Sequence, residues 1–131
     1  MLPTGLSHVA MSVPSGTLTD TYRTELLEFY GGVFGWRELE SLRRPDRLTI
    51  GINESAYLNL RERPAPMVCS GYEHFGFVVP SADTAREIWD RLDADPRDVN
   101  LEPLTAHDSG FSSFRFRYLL PLAVEVQSFA S

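Results

Sequence analysis

The chain has 131 residues, 43% of them hydrophobic and 23% charged, with a formal net charge of −6. By length this is one globular domain with enough residues to bury a core. No apolar run approaches the ~20 residues of a membrane span, and an acidic chain with scattered arginines is a poor partner for nucleic acid. The N-terminal Met1-Leu-Pro-Thr-Gly5 lacks a basic stretch followed by an apolar one, so export is not expected. The single cysteine, Cys69, cannot form an internal disulfide, which fits a reducing, cytoplasmic compartment.

Residues 5–13 alternate in polarity and read as a strand, with Val9, Met11 and Val13 on one face and His8, Ala10 and Ser12 on the other. Pro14 ends it. A loop with capping residues, Ser15 to Asp20, leads into a helix. Its predicted apolar stripe is Leu18, Tyr22, Leu26, Phe29 and Val33, and Gly35 is its expected stop. Short strands are expected at 36–40, 47–52 and 56–61, with turns at 43–46 and 53–54. The stretch 63–70 holds two prolines and reads as a linker.

After the linker the order repeats. Residues 72–79 form a strand, Ser81 caps a helix over 82–92, and strands are expected near 99–104, 112–118 and 122–129. In the second helix Ala85, Ile88, Trp89 and Leu92 share a face. Each half is therefore strand, helix, strand, strand, strand. The expected modules run from about residue 5 to 62 and from about 71 to 129, joined in one fold because neither half alone is large enough for a core.

The repeat is also visible residue by residue. His8, Val13 and Pro14 match His74, Val79 and Pro80 at one constant offset. The same offset carries Asn59 in Tyr57-Leu-Asn-Leu60 onto Glu125 in Ala123-Val-Glu-Val126. Alternation puts His8, Asn59, His74 and Glu125 on the faces opposite the apolar residues of their strands. Tyr57 and Arg61 share the face of Asn59, Gln127 shares that of Glu125, and Arg115 and Arg117 lie on the polar side of their strand. Two imidazoles and a carboxylate suit a divalent transition metal such as Fe, Mn, Ni, Zn or Co, with coordination positions left for water and substrate. Asn59 can add an amide oxygen or an outer hydrogen bond.

These stretches, together with Leu27-Glu-Phe-Tyr-Gly-Gly-Val-Phe-Gly-Trp36, resemble the vicinal oxygen chelate superfamily over essentially the whole chain. That superfamily includes glyoxalase I, extradiol dioxygenases, methylmalonyl-CoA epimerase and the bleomycin- and fosfomycin-resistance proteins. The resemblance implies an α+β fold of two tandem βαβββ modules forming a half-open mixed β-barrel with helices outside, and a likeness to homodimers. It implies a metal set of His8, His74 and Glu125, with Glu125 also in a catalytic role and Asn59 at the fourth position. Substrate contacts would come from Tyr57, Arg61, Arg115, Arg117 and Gln127. Two departures stand out: Asn59 replaces a carboxylate, and Tyr118-Leu-Leu-Pro121 replaces the Asp-Pro-Asp-Gly turn found in many members.

Two functions follow from the resemblance. One is a metal-dependent enzyme of the glyoxalase or dioxygenase type acting on a small oxygen-bearing substrate. The other is a metal-free protein of the antibiotic-resistance type that sequesters a small ligand. His107 beside Asp108 reads as a solvated loop histidine, with an acid/base or lid role as the alternative.

Overall fold

The computed structural model describes residues 1–108 and 110–129. The chain divides into two compact units, Met1–Val68 and the residues from Cys69 onward, and the boundary falls within the linker expected at 63–70. Each unit is a βαβββ module. The fold is α+β, two modules in tandem, each with one mixed four-stranded sheet and one α-helix.

The first module consists of β1 (His8–Pro14), α1 (Asp20–Phe34), β2 (Arg37–Glu38), β3 (Arg47–Gly51) and β4 (Tyr57–Arg63). Its sheet order is β1-β4-β3-β2, so the first strand lies beside the last, parallel to it. The buried side chains are the alternate apolar residues Met11 and Val13, Leu48 and Ile50, and Leu58 and Leu60. One face of the sheet is thus packed while the other carries His8, Asn59 and Arg61.

Helix α1 starts where Thr19 Oγ1 accepts a hydrogen bond from Tyr22 N at 3.1 Å. It ends at Gly35, whose φ of 74° closes the last turn at a left-handed position that suits glycine. The buried stripe differs from the expected one. It consists of Arg23, Leu26, Phe29 and Tyr30, while Leu18 precedes the helix and Tyr22 and Val33 are only half-buried. Arg23 can be buried because backbone oxygens satisfy it. Its guanidinium donates to Leu18 O at 3.1 Å, Arg47 O at 3.2 Å, Arg44 O at 2.7 Å and Pro45 O at 3.1 Å. The turn before β3 is therefore tied to α1 by one side chain. Tyr30 is buried against Trp36, the two rings stacked 5.0 Å apart.

The second module consists of β5 (His74–Val78), α2 (Ala82–Asp93), β6 (Thr105–Ala106), β7 (Phe111–Phe116) and β8 (Ala123–Phe129), with sheet order β5-β8-β7-β6. Ser81 caps α2 as expected, its hydroxyl accepting from Thr84 N at 3.1 Å. The helix packs on β7 and β8, and Phe114, Phe116, Val124 and Val126 are buried.

Two expected strands are shorter than the pattern suggests. The strand at 36–40 reduces to β2, followed by a 3₁₀ turn over Glu40–Leu42. The strand near 99–104 is irregular: Asn100 has a φ of 48° and Pro103 has no N–H to give to a ladder. Hydrogen bonds from Glu102 N to Arg115 O and from Arg117 N to Val99 O still hold that segment beside β7.

Two outcomes test this packing. Leu60→Ala should cost roughly 2–5 kcal/mol in chemical denaturation, whereas Val78→Ala, at a side chain 61% exposed, should stay within about 0.5 kcal/mol. Burial raises Tyr22 from 10.0 to about 12. The neutral phenol is the form the fold favours, so this contribution is full below pH 10 and is lost as pH rises through about 12. Tyr22→Phe should remove that alkaline loss, read as the pH dependence of the denaturation midpoint.

Candidate metal centre

The duplication governs the pairing register. In the first unit His8 pairs with Tyr57 and Ala10 with Asn59; in the second, His74 pairs with Ala123 and Gly76 with Glu125. Every one of these positions moves on by the offset that carries His8 to His74. The antiparallel neighbours follow the same shift: Thr49 pairs with Asn59, and Arg115 with Glu125. Histidine and its diagonal partner therefore lie on the same face of each sheet, because residues paired across strands point the same way.

The second unit brings two of the expected metal ligands together. His74 Nε2 lies 3.7 Å from Glu125 Oε1, with both side chains only partly exposed. The other ring nitrogen, Nδ1, is 2.7 Å from Tyr72 O. A carbonyl can only accept, so Nδ1 carries a proton, and in the neutral ring Nε2 is the nitrogen that presents a lone pair. Glu125 is oriented as well: Gln127, two residues along the same strand, donates from its amide to Oε2. Bonds of about 2.0–2.2 Å from each donor allow both atoms to reach one ion.

Gly76 makes room for this pair. A Cβ at that position would stand 3.3 Å from Glu125 O and 3.4 Å from Glu125 Cβ. Its counterpart in the first unit is Ala10, opposite the smaller Asn59.

The first unit offers the matching half-set in altered form. His8 Nδ1 is 2.8 Å from Ser7 Oγ, and its ring stacks on Tyr57 at 4.9 Å with the planes 5° apart. His8 as a residue is exposed. The Oδ1 of Asn59 is buried with no hydrogen-bond partner, an orphaned acceptor that a donor or a cation would satisfy. Among the described residues no group of three or more His, Cys, Asp or Glu forms a metal cluster. In the second unit an imidazole lies beside a carboxylate oxygen, and this donor chemistry fits a divalent ion.

A cleft of about 210 Å³ opens beside Glu125, lined also by Glu102, Thr105, His107, Ser113 and Arg115. Arg115 pairs with Glu102 at 3.1 Å and forms one wall. Arg117 follows the end of β7, and its backbone is tied to Val99 and Asn100. His107 is an exposed loop residue, as expected, and it has partners: Nε2 lies 2.9 Å from Ser113 Oγ, and the ring stacks on Phe111 at 4.1 Å. The signal for it lay in the hairpin, since β6 pairs with β7 and His107 N donates to Phe111 O at 2.8 Å.

No protein-family model matches the sequence, and no curated protein sequence matches it. Solved structures do. Lactoylglutathione lyase from Agrobacterium tumefaciens superposes with a TM-score of 0.69 at 19% identity, covering 96% of this chain and 94% of that one. A glyoxalase/bleomycin resistance protein/dioxygenase from Nocardioides gives 0.69 at 14% identity, covering 100% and 87%. The fosfomycin resistance protein FosX from Listeria monocytogenes, in complex with Mn(II) and a sulfate ion, gives 0.64 at 18% identity, covering 98% and 93%.

The fold is that of the vicinal oxygen chelate superfamily. At these identities the likeness concerns the fold alone. Among the described residues no helix is long and apolar enough to cross a membrane.

The close approach at Gly76 gives a direct test. Gly76→Ala should lower stability by about 1–3 kcal/mol and push Glu125 away from His74. The imidazole resonances of His74 report the separation, and unchanged resonances would show that Gly76 does not hold the pair.

Proposed function

We propose that the protein is a metal-dependent enzyme acting on a small substrate that presents oxygen donors, with His8, His74 and Glu125 holding a divalent ion. The observation that carries this reading is the His74–Glu125 pair, 3.7 Å apart and aligned by Tyr72 O and Gln127. His8, at the equivalent register of the first module, is the third ligand in this proposal. Asn59 replaces the fourth carboxylate. Two imidazoles and one carboxylate give the bound ion a single positive charge overall, which favours chelation of an anionic or enediolate-like oxygen pair.

The chain's own residues have separable tasks. The Tyr72 carbonyl fixes the His74 tautomer. Gln127 restrains one oxygen of Glu125 and leaves the other to face the imidazole. Where it is not holding the ion, the Glu125 carboxylate would be placed to take a proton from substrate, with Gln127 steadying the charged form. Asn59 Oδ1 is a buried acceptor without a partner, which a substrate hydroxyl would satisfy if a side-chain shift opened it to the site. When bound, a divalent ion supplies Lewis acidity toward the substrate oxygens. The Mn(II) complex of the structurally similar FosX supports the choice of probe metal. The superfamily's small-molecule chemistry and frequent pairing into dimers give the further reading of a homodimer that takes a small-molecule substrate in the cytoplasm.

Protein purified without chelator, loaded with Mn(II) or with Fe, Ni, Zn or Co and passed through gel filtration, should retain metal in proportion to chain. His8→Ala, His74→Ala and Glu125→Gln should each lose most of it, and Gln127→Ala should weaken retention by about 10–100-fold. If His8→Ala and His74→Ala hold as much metal as the parent, the metalloenzyme reading fails. A metal-free small-molecule binder of the resistance type then takes its place.

A further inference from the structure

The polar face of the first unit's sheet carries an excess of positive charge that the metal reading does not use. Arg47 on β3 stands directly opposite Arg61 on β4, so the two side chains share a face. Arg63 lies two residues further along β4 and therefore on that face too, roughly 7 Å from Arg61 by strand rise. Like charges set opposite each other across a sheet are destabilising, and three arginines here belong to a chain whose net charge is −6.

Little within the first unit answers this charge. Among the described residues, the carboxylate paired with the group is Asp46, 4.0 Å from Arg61 Nε, with both side chains 53% exposed. Glu62 points to the opposite face and is already engaged, its Oε2 accepting from Leu18 N at 2.7 Å. Arg47 Nε is buried without a hydrogen-bond partner. An unpaired buried donor beside two further guanidinium groups is a standing demand for an acceptor.

The same face has a shaped depression of about 410 Å³, lined by Ser12, Asn59, Arg61, Arg63 and Met67 among others. It is built by a specific contact. After β4 the chain folds back, and Met67 N donates to Ser12 Oγ at 2.6 Å, which sets Met67 as an apolar wall. Asn59, whose Oδ1 is buried without a partner, lies in its floor. Guanidinium forks beside a thioether wall are the groups that suit the head of a small organic anion.

We propose that this depression is an oxyanion pocket, with Arg61 and Arg63 as its binding residues and Arg47 adding charge on the same face, and that it takes the carboxylate or phosphoryl head of the substrate. The assignment of the occupant as substrate rests on the function proposed above; anion binding itself does not.

The test uses the full chain, freed of metal with chelator so that a bound ion cannot attract the probe. Inorganic phosphate and malonate are titrated separately by calorimetry. The parent should bind at least one of them, more weakly as added salt screens the charges. Arg61→Gln and Arg63→Gln should each weaken it by about tenfold or more, and Arg61→Lys, which keeps the charge but not the fork, by less. Arg91→Gln, an exposed arginine on α2, should bind as the parent does. Binding of phosphate alone assigns a phosphoryl head and binding of malonate alone a carboxylate; both outcomes support the pocket. The proposal is overturned if neither anion binds, or if folded Arg61→Gln and Arg63→Gln bind like the parent. His74→Ala separates the two readings. It should lose metal and keep the anion, and anion binding lost in His74→Ala as fully as in Arg61→Gln would place the anion elsewhere and sink the pocket. Should the parent retain no metal yet bind phosphate through Arg61, the metal reading falls and the pocket stands.

Discussion

Parallel pairing between the first and last strand of each module is the constraint on which the rest depends. Strands β1 and β4 are separated by a helix and two strands, yet they lie side by side, as do β5 and β8. Side chains alternate with a period of two, so a slip of one residue would turn every side chain to the other face. Leu58 and Leu60 in β4 and Val124 and Val126 in β8 are fully buried. Exposing those pairs would sacrifice several kcal/mol of apolar burial. The register is thus fixed by apolar residues, and the polar positions are carried along by it. His8 and Asn59, and His74 and Glu125, share faces because their neighbours must be buried.

That mechanism explains why the repeat is retained in backbone and altered in chemistry. Burial demands the apolar residues at Leu60 and Val126 alike, but it says little about the alternate positions. There the two copies diverge: Tyr57 against Ala123, Asn59 against Glu125, Ala10 against Gly76. The changes are mutually consistent. Gly76 gives space to Glu125, and with Ala123 at the position of Tyr57 the His74 ring meets Tyr72 edge-on at 5.5 Å, its Nε2 toward the carboxylate. In the first module Tyr57 instead stacks on His8, and the smaller Asn59 tolerates Ala10. One copy has kept an imidazole–carboxylate pair, while the other has an imidazole held by an aromatic face and an amide with an unused oxygen.

The features legible in the sequence are those with a period. The alternation around His8 and His74 yields both edge strands, and the constant offset between the two copies yields the register of their partners. What was not legible depends on contacts remote in sequence. The burial of Arg23 is invisible in α1, because the oxygens that satisfy it belong to Arg44, Pro45 and Arg47. The apolar residues near Val99 suggested a strand, but the positive φ of Asn100 and the missing donor of Pro103 interrupt it. His107 is exposed as its loop setting suggests, but its partners, Phe111 and Ser113, were not legible because they meet it only across a hairpin. The wall formed by Met67 follows from a single hydrogen bond to Ser12, far earlier in the chain.

Charge adds a final asymmetry between the copies. On the polar face of the first sheet, Arg47 is opposite Arg61, with Arg63 beyond. The equivalent positions in the second module are Ser113, opposite Gln127, and the neutral end of β8. There the charged groups are Glu125, Arg115 and Glu102, and Arg115 is neutralised by Glu102 at 3.1 Å. A carboxylate beside an imidazole attracts a cation, while guanidinium groups in excess of carboxylates attract an anion. A duplicated scaffold thus carries opposite electrostatic demands on its two copies of one face. The register that buries the same apolar positions in both modules is indifferent to these charges, which is why they are free to differ.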